Sequence, residues 1–276
     1  MSKPDLPTVA VLLTCFNRKQ TTLAALSALD AACAGSCDYQ IVLVDDGSSD
    51  GTGDAVRQAF PQAHVISSSG NLFWNGGMRL AWQSALPLQP DFYLWLNDDT
   101  ALRPGAVSDL LALYRTALSP KTIAVGCTVD PRTGVVTYGG YKRAGGLSRL
   151  RFRRLTSDET HCDSMNGNCV LFPASAVSDV GINSGHYRHA FGDNDYGLRA
   201  RNAGYDILEL KVPVAEQEKN EKYIASVSRL TLRNWRFILT HPKGIPVREW
   251  CRFCLDHGGP LGLVNFFTRY LKMLRV

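Results

Sequence analysis

The sequence predicts an α/β fold in which a mostly parallel, mixed sheet is flanked by helices. Over the first 130 residues short apolar runs alternate with helical patterns, which is typical of a parallel sheet covered by helices. The runs are apolar throughout, as expected for strands with both faces buried. A composition of 45% hydrophobic and 20% charged residues over 276 positions excludes disordered, collagen-like and membrane-bundle chains.

The predicted elements follow one another closely. Strands are expected at 8–14, 40–46, 63–68 and 91–98, and helices at about 18–34, at 76–86 and after Pro104. Beyond residue 121 the apolar runs shorten between glycine-rich connections, which indicates a mixed sheet edge. The basic run at 147–154 is open to two interpretations, a mobile flap over a diphosphate or a solvated face. A helix near 195–203 and a strand at 205–210 complete a first domain predicted at 1–220.

A basic helical extension is predicted at 221–276, where 10 Lys and Arg stand against 3 Asp and Glu. This local excess favours an anionic partner such as a membrane surface, and no nucleic-acid module is present. The last helical pattern is amphipathic, and either packing on the main domain or contact with the inner face of a membrane would use its apolar side. That side holds Leu263, Phe266, Phe267, Tyr270, Leu271 and Leu274, and the cations are Arg269, Lys272 and Arg275.

The eight cysteines are interpreted as reduced thiols of a cytoplasmic protein, because no secretory leader precedes them and no apolar run approaches the ~20 residues that span a bilayer. One pattern resembles a zinc site: Cys251 and Cys254 lie between His241 and His257. A single such pair on a predicted helix favours thiols packed between helices instead.

Polar residues end four consecutive predicted strands: TCFNR, DDGSSDGT, SSGNLFWNGG and NDDT. Ligands of open parallel sheets bind at this edge. The second motif is not a calcium loop, since Arg57 takes the place of the twelfth-position acid, and Val56 replaces the third glycine of a dinucleotide fingerprint. Asp45 and Asp46 remain as carboxylates that can accept hydrogen bonds from a pyrimidine and a ribose, whereas Asp50 is expected to cap a helix.

The motif NDDT brings acids to the edge of a very apolar strand, which favours a divalent cation as their partner. Asp99 is the expected ligand of Mg²⁺ or Mn²⁺, with Asn97 and Asp98 on the ribose or the metal. A further acidic pair, Asp193 and Asp195, begins a predicted helix. Asp193 is interpreted as a general base or an N-cap, and Asp195 forms an i,i+4 pair with Arg199.

These motifs, in this order, resemble the family 2 glycosyltransferases of the GT-A fold over roughly residues 8–215. The motif GNLFWNGGMR followed by LNDD resembles bacterial members described as rhamnosyl- or galactosyltransferases of surface polysaccharide synthesis. The resemblance implies a dTDP- or UDP-linked sugar donor, Mg²⁺ or Mn²⁺, a glycan or lipid-linked acceptor and inversion at the anomeric carbon. It implies that Asp193 is the catalytic base. It also implies that Asp45 contacts the nucleobase of the donor and that Asp46 contacts its ribose. It further implies that the nucleotide and its phosphates are held by Thr14, Phe16, Arg18, Asn71, Trp74, Gly76, Gly77 and Arg79.

The sequence departs from the family pattern at two places. Asn97 opens the metal-binding motif in place of Asp, and the segment after the strand at 205–210 offers Glu216, Gln217 or Glu218 where family members often place a histidine. Candidate acceptor contacts are Asn166, Asn168 and Asp195, although Asn-Gly-Asn is also a common turn. Trp82 and Trp95 are expected in the core. Two other functions stay open: a sugar-nucleotide nucleotidyltransferase, and a non-catalytic module that binds a sugar nucleotide or a glycan.

Overall fold

The computed structural model describes residues 6–220, 225 and 227–275, and it has the predicted α/β architecture. Fourteen strands are described: β1 (Thr8–Cys15), β2 (Asp38–Asp45), β3 (His64–Ser67), β4 (Phe92–Leu96), β5 (Thr122–Val125), β6 (Thr128–Val129), β7 (Val136–Tyr138), β8 (Gly140–Arg143), β9 (Phe152–Arg154), β10 (His161–Cys162), β11 (Ser164–Met165), β12 (Cys169–Pro173), β13 (Asp206–Glu209) and β14 (Ala215–Glu216). Eight of them form one sheet in the order β10-β13-β5-β12-β4-β1-β2-β3. Strands β3, β2, β1 and β4 run parallel, and β12 enters antiparallel between β4 and β5.

Helices cover both faces of this sheet, as the continuous apolar strands require. The described α-helices are α1 (Lys19–Ser27), α2 (Leu29–Cys33), α3 (Thr52–Ala59), α4 (Phe73–Ala85), α5 (Ala106–Thr116), α6 (Ser175–Val180), α7 (Gly192–Asn202), α8 (Trp235–Thr240), α9 (Val247–His257) and α10 (Gly262–Arg275). Helices α1, α2, α3 and α5 pack on one face, and α4, α6 and α7 on the other. On the second face Trp82 and Trp95 are fully buried with their ring centroids 5.3 Å apart, which confirms both as core residues.

Two small sheets, β11-β8-β9 and β14-β6-β7, lie beside the main sheet. The basic run at 147–154 leads into β9 and packs against the C-terminal helices. Ser148 Oγ lies 2.7 Å from Asn265 Oδ1, and Leu150 and Phe152 join the cluster formed by α8, α9 and α10. Neither interpretation of this run anticipated these contacts, which dock part of it on the extension.

The extension packs on the main domain through Ile238, Ile245, Trp250, Phe253 and Met273. The apolar side expected for the last helix is divided in two, and this corrects the sequence-based assignment of its faces. Phe266 and Tyr270 turn inward against the cluster. The outward stripe holds Leu263, Val264, Phe267, Leu271 and Leu274, each more than half exposed. Among the described helices, none is long and apolar enough to cross a membrane.

Candidate active site

The polar strand ends meet at one edge of the sheet, as predicted. Strand register places Cys15 opposite Asp45, and Asp45 opposite Ser67, so the loops after β1, β2 and β3 start at the same level. The first two loops are tied together because Asn17 Oδ1 accepts a hydrogen bond from Ser49 N at 2.7 Å. Phe16, on the first loop, is 52% exposed, which leaves an aromatic face available at this edge.

Asp45 and Asp46 are buried and hold backbone amides. Asp45 accepts hydrogen bonds from Ser48 N at 2.9 Å and Gly53 N at 3.1 Å, which fixes the turn into α3. Asp46 accepts from Leu72 N and Phe73 N, at 3.0 and 2.8 Å, and so fixes the start of α4. Asp50 accepts from Thr52 N at 3.0 Å, at the first residue of α3, although the N-cap residue of this helix is Gly51. The contacts of Asp45 and Asp46 with a base and a ribose stay predictions.

The glycines of α4 allow close packing against β1. A Cβ atom on Gly77 would overlap Thr14 Oγ1, whereas a Cβ on Gly76 would lie 3.3 Å from Leu72 Cβ. Gly77 and Thr14 therefore hold α4 against the sheet. Asn71 is exposed, with a left-handed φ of 71°, on the loop before this helix.

Arg79 lies on the side of α4 that faces the loop before α7. Its guanidinium donates to the carbonyl oxygen of Asn183, and the buried Asn75 donates to the carbonyl of Tyr187 at 2.6 Å. Arg79 therefore has a protein partner in this structure. Its contact with the phosphates of the nucleotide sugar stays a prediction.

The second acidic motif forms a compact charged network with Arg18. The guanidinium Nη1 lies 3.1 Å from Asp98 Oδ1 and 2.6 Å from Asp99 Oδ2. Gln217 Nε2 donates to Asp99 Oδ1 at 2.8 Å, and its Oε1 accepts from Asn168 Nδ2 at 2.9 Å. Burial raises the pKa of Asp98 to about 7, with Asp99 adding to the rise and Arg18 opposing it. Of the three residues proposed for the missing histidine, Gln217 is the one that reaches Asp99.

A cleft of about 350 Å³ lies beside this network. Among its lining residues, Trp74 Nε1 donates to Asn97 Oδ1 at 2.7 Å, so Asn97 is oriented by an indole. The Trp74 ring is edge-on to Trp95, with centroids 5.5 Å apart. Five residues expected at the site from the sequence line one cleft together: Trp74, Asn97, Asn166, Asn168 and Asp193. Its other lining residues are Gly167, His189, Ala190, Phe191 and Asn194.

Asp193 projects from the first turn of α7 into this cleft. Its carboxylate accepts hydrogen bonds from Asn194 N at 2.8 Å, Asn194 Nδ2 at 2.9 Å and Gly167 N at 3.2 Å. Loss of hydration raises the pKa of Asp193, although these donors oppose the rise. A carboxylate with a raised pKa is a stronger base than an exposed one, and it is available to a ligand in the cleft.

Asp195 does not reach the cleft, which corrects its assignment as an acceptor contact. It is 2% exposed, and its two oxygens are held by Arg199 Nε at 2.8 Å and His257 Nε2 at 2.9 Å. Both partners lower the pKa of Asp195 against the effect of burial. Asp195 thus ties α7 to α9 of the extension.

The zinc pattern is also explained by packing. His257 bonds Asp195, His241 stacks on Phe237 with centroids 4.8 Å apart, and Cys254 is buried. The part of the chain that the structure describes holds no cluster of three or more His, Cys, Asp or Glu arranged for a metal. All eight cysteines are free thiols.

Sequence reasoning missed His189 and Asn75. His189 lines the cleft two residues after the buried Tyr187, and burial together with the charges of Lys243, His241 and Arg18 lowers its pKa to about 4. No spacing rule marks this histidine, because its neighbours come from distant parts of the chain. Asn75 lies within the motif FWNGG, whose polar residue on a buried helix face was the available signal.

The sequence of this site matches a known family. The Glycosyl transferase family 2 model matches residues 10–181, more than half of the chain. The chain belongs to glycosyltransferase family 2. The matched region includes strands β2 to β12, most of β1, and the acidic motifs after β2 and β4. Strands β13 and β14 and the residue Asp193 follow it.

Relatives and solved structures agree with this family. An N-acetylglucosaminyl-diphospho-decaprenol L-rhamnosyltransferase of Mycobacterium tuberculosis is 27% identical over 237 residues, which cover 76% of this chain and 74% of that protein. An undecaprenyl-phosphate 4-deoxy-4-formamido-L-arabinose transferase of Aeromonas hydrophila is 37% identical over 60 residues, 21% of this chain and 18% of that protein.

The solved structures confirm the GT-A fold. A mannosyltransferase from Pyrobaculum calidifontis in complex with GDP-Man and Mn²⁺ superposes with a TM-score of 0.59 and 16% identity, covering 97% of this chain and 70% of that one. S. aureus TarS in complex with UDP-GlcNAc gives a TM-score of 0.60 and 12% identity, covering 97% and 74%.

Proposed function

We propose that this family 2 glycosyltransferase transfers a sugar, with inversion, from a dTDP- or UDP-linked donor to a hydroxyl of a lipid-linked or polysaccharide acceptor in cell-surface glycan synthesis. The observation that carries this proposal is the position of Asp193, whose half-buried carboxylate faces the same cleft as Trp74 and Asn97. The acceptor class is supported by the M. tuberculosis relative, which is named for rhamnosyl transfer to N-acetylglucosaminyl-diphospho-decaprenol.

Asp193 acts as the general base. An acceptor hydroxyl is a poor nucleophile until a carboxylate takes its proton, and the raised pKa makes Asp193 suited to do so. Asn194 and Gly167 hold the carboxylate by hydrogen bonds, so its orientation is fixed before a substrate binds. One base placed on the face of the sugar opposite the leaving group is sufficient for a single inverting displacement.

Asn166 positions the acceptor in this scheme. Its Oδ1 is buried without a hydrogen-bond partner among the described residues, and it lines the cleft that Asp193 faces. A buried acceptor atom without a donor is costly, and a sugar hydroxyl removes that cost once the Asn166 side chain turns its Oδ1 toward the cleft.

The residues after β4 fit a divalent cation. Asp98 and Asp99 share one guanidinium, that of Arg18, so the three side chains carry a net negative charge when both acids are ionised. Carboxylate oxygens are the hard ligands that Mg²⁺ and Mn²⁺ prefer, and Asp99 Oδ1 is oriented by its hydrogen bond from Gln217 Nε2. Proteins often bind Mg²⁺ through one or two carboxylates together with the phosphates of the substrate. Asp99 would hold the ion, and the ion would neutralise charge on the departing nucleoside diphosphate.

A transfer assay tests the reaction. The protein is incubated with dTDP- and UDP-sugars and a GlcNAc-diphospho-lipid acceptor, and the product's anomeric configuration is read by NMR. We expect release of nucleoside diphosphate and a product of configuration opposite to the donor. Release of pyrophosphate would indicate a nucleotidyltransferase instead, and retained configuration would contradict the role given to Asp193.

The stripe on α10 gives the protein a surface for the inner face of a membrane. Its five apolar side chains are more than half exposed, and Lys272 lies on the same helix, which is the chemistry of an interfacial helix on anionic lipid. Phe267→Glu should weaken sedimentation with phosphatidylglycerol vesicles about tenfold or more, since each buried apolar side chain contributes about 1.5–3 kcal/mol. Leu118→Glu, at an exposed leucine of the main domain, is the matched control. Equal sedimentation of wild type and Phe267→Glu would exclude the stripe as a membrane contact.

A further inference from the structure

A turn of the extension, residues 241–244, lies at the rim of the cleft. The His241 ring is edge-on to Phe73 with centroids 5.5 Å apart, and Phe73 meets His189 at 6.4 Å. His189 lines the cleft, so a single aromatic side chain separates the turn from the cleft wall. Arg188 lies beside the turn and donates from Nη2 to the carbonyl oxygen of Thr240 at 3.4 Å.

The turn has a fixed shape. Gly244 N donates to His241 O at 2.7 Å, Lys243 N donates to His241 Nδ1 at 3.1 Å, and Ile245 N donates to Ile238 O at 2.6 Å. A Cβ atom on Gly244 would overlap the carbonyl oxygens of Phe237 and Ile238, so this position requires glycine. Lys243 is therefore an exposed cation on a rigid support.

The charges around the turn are mostly positive. Burial lowers the pKa of His241, and the charges of Lys243 and Arg188 lower it further. Glu249 compensates Arg188, with Oε1 3.2 Å from Nε. Within the described ranges no carboxylate pairs with Lys243. At neutral pH the imidazoles of His189 and His241 are therefore uncharged, and each can donate an N–H near the ammonium group of Lys243.

We propose that Arg188, His241 and Lys243, here called the cationic rim, bind the diphosphate of a lipid-linked acceptor. The inference rests on the proposed function and assigns the extension a part in acceptor recognition. A diphosphate presents several charged acceptor oxygens, which match the ammonium and the imidazole N–H of the turn and the guanidinium beside it. The rim is separate from the Asp98–Asp99 network: Arg18 pairs with two carboxylates, whereas Arg188 pairs with Glu249 and, among the described residues, Lys243 has no carboxylate partner.

Calorimetric binding of farnesyl diphosphate tests the rim, with the protein saturated by the nucleoside diphosphate that it binds best. Lys243→Gln should weaken the Kd about tenfold or more, which is the loss of one charge-assisted hydrogen bond. Lys243→Arg should restore binding to within about threefold, because the charge is kept. Arg248→Gln removes an exposed cation of α9 that lies outside the rim, and it should leave the Kd unchanged.

The same variants are titrated with the nucleoside diphosphate alone. If Lys243→Gln weakens the binding of farnesyl diphosphate and leaves the nucleotide Kd unchanged, the rim is assigned to the acceptor. If nucleotide binding weakens instead, the rim serves the donor and the acceptor assignment is overturned; if neither ligand is affected, the rim is overturned. A wild-type protein that binds no nucleotide would refute the proposed function separately, since the farnesyl diphosphate titration does not depend on transfer.

Discussion

Replacing Asp193 by Asn should separate catalysis from stability. The substitution preserves the shape of the side chain, and its Oδ1 can still accept the two hydrogen bonds from Asn194, at 2.8 and 2.9 Å. The amide nitrogen then faces Gly167 N, which loses the acceptor it had at 3.2 Å. The variant therefore loses one hydrogen bond and the ability to take a proton.

The two effects differ greatly in size. Loss of a general base lowers kcat by roughly 10²–10⁴-fold. One lost hydrogen bond costs about 0.5–1.5 kcal/mol, and removal of a buried charge offsets it, because the raised pKa of Asp193 means that ionisation destabilises the folded protein above that pKa. The net change in the free energy of unfolding should lie within about 1 kcal/mol of zero.

The assay measures nucleoside diphosphate release at saturating donor and acceptor, alongside Tm from calorimetry. Asn194→Ala is the matched control, since it alters a hydrogen-bond partner of the carboxylate and leaves the base in place. A kcat for Asp193→Asn within about fivefold of wild type, with the protein folded, would refute the assignment of the base.

Three further predictions concern stability and pH. Gly77→Ala should destabilise the protein by about 1–3 kcal/mol, because the added methyl group would overlap Thr14. Gly76→Ala, in the same helix turn, should be neutral or slightly stabilising. Chemical denaturation measures both free energies of unfolding, and equal effects would contradict the packing described for α4. His257→Leu should cost about 1.5–3 kcal/mol, since the buried Asp195 loses one partner, and an unchanged Tm would exclude the α7–α9 tie. The acid limb of kcat/KM should lie above the ordinary Asp pKa of 3.8, because the base must be ionised and the pKa of Asp193 is raised; a limb at or below that value would contradict its desolvation.

The sheet and its functional edge could be predicted because the signals are local. Continuous apolar runs mark β1, β2 and β4, and the acids that follow them must meet at one edge once the strands are parallel. This reasoning predicted that Trp74 and Asn97 lie at the same edge, whereas Asp193 was predicted separately, from its place at the start of a helix. The family resemblance added which of these residues is the base.

The rest of the site depends on contacts between distant segments. Gln217 reaches Asp99 across 118 positions, and the pairing of His257 with Asp195 spans 62. Neither contact leaves a periodic pattern. The division of α10 into a buried and an exposed apolar side could not be predicted for a similar reason: apolar residues cover a broad arc of this helix, and the packing against α9 decides which of them are buried.

A donor site at the edge of the sheet is the central claim, and ligand-induced thermal shift tests it most directly. UDP, dTDP, GDP and CMP are each compared with Mg²⁺, Mn²⁺ or EDTA, since a ligand that binds only the folded state raises Tm. We predict that a pyrimidine nucleoside diphosphate raises Tm and that EDTA abolishes the shift. The absence of a shift with every nucleotide would contradict the donor site assigned to Asp45, Asp46 and Asp99.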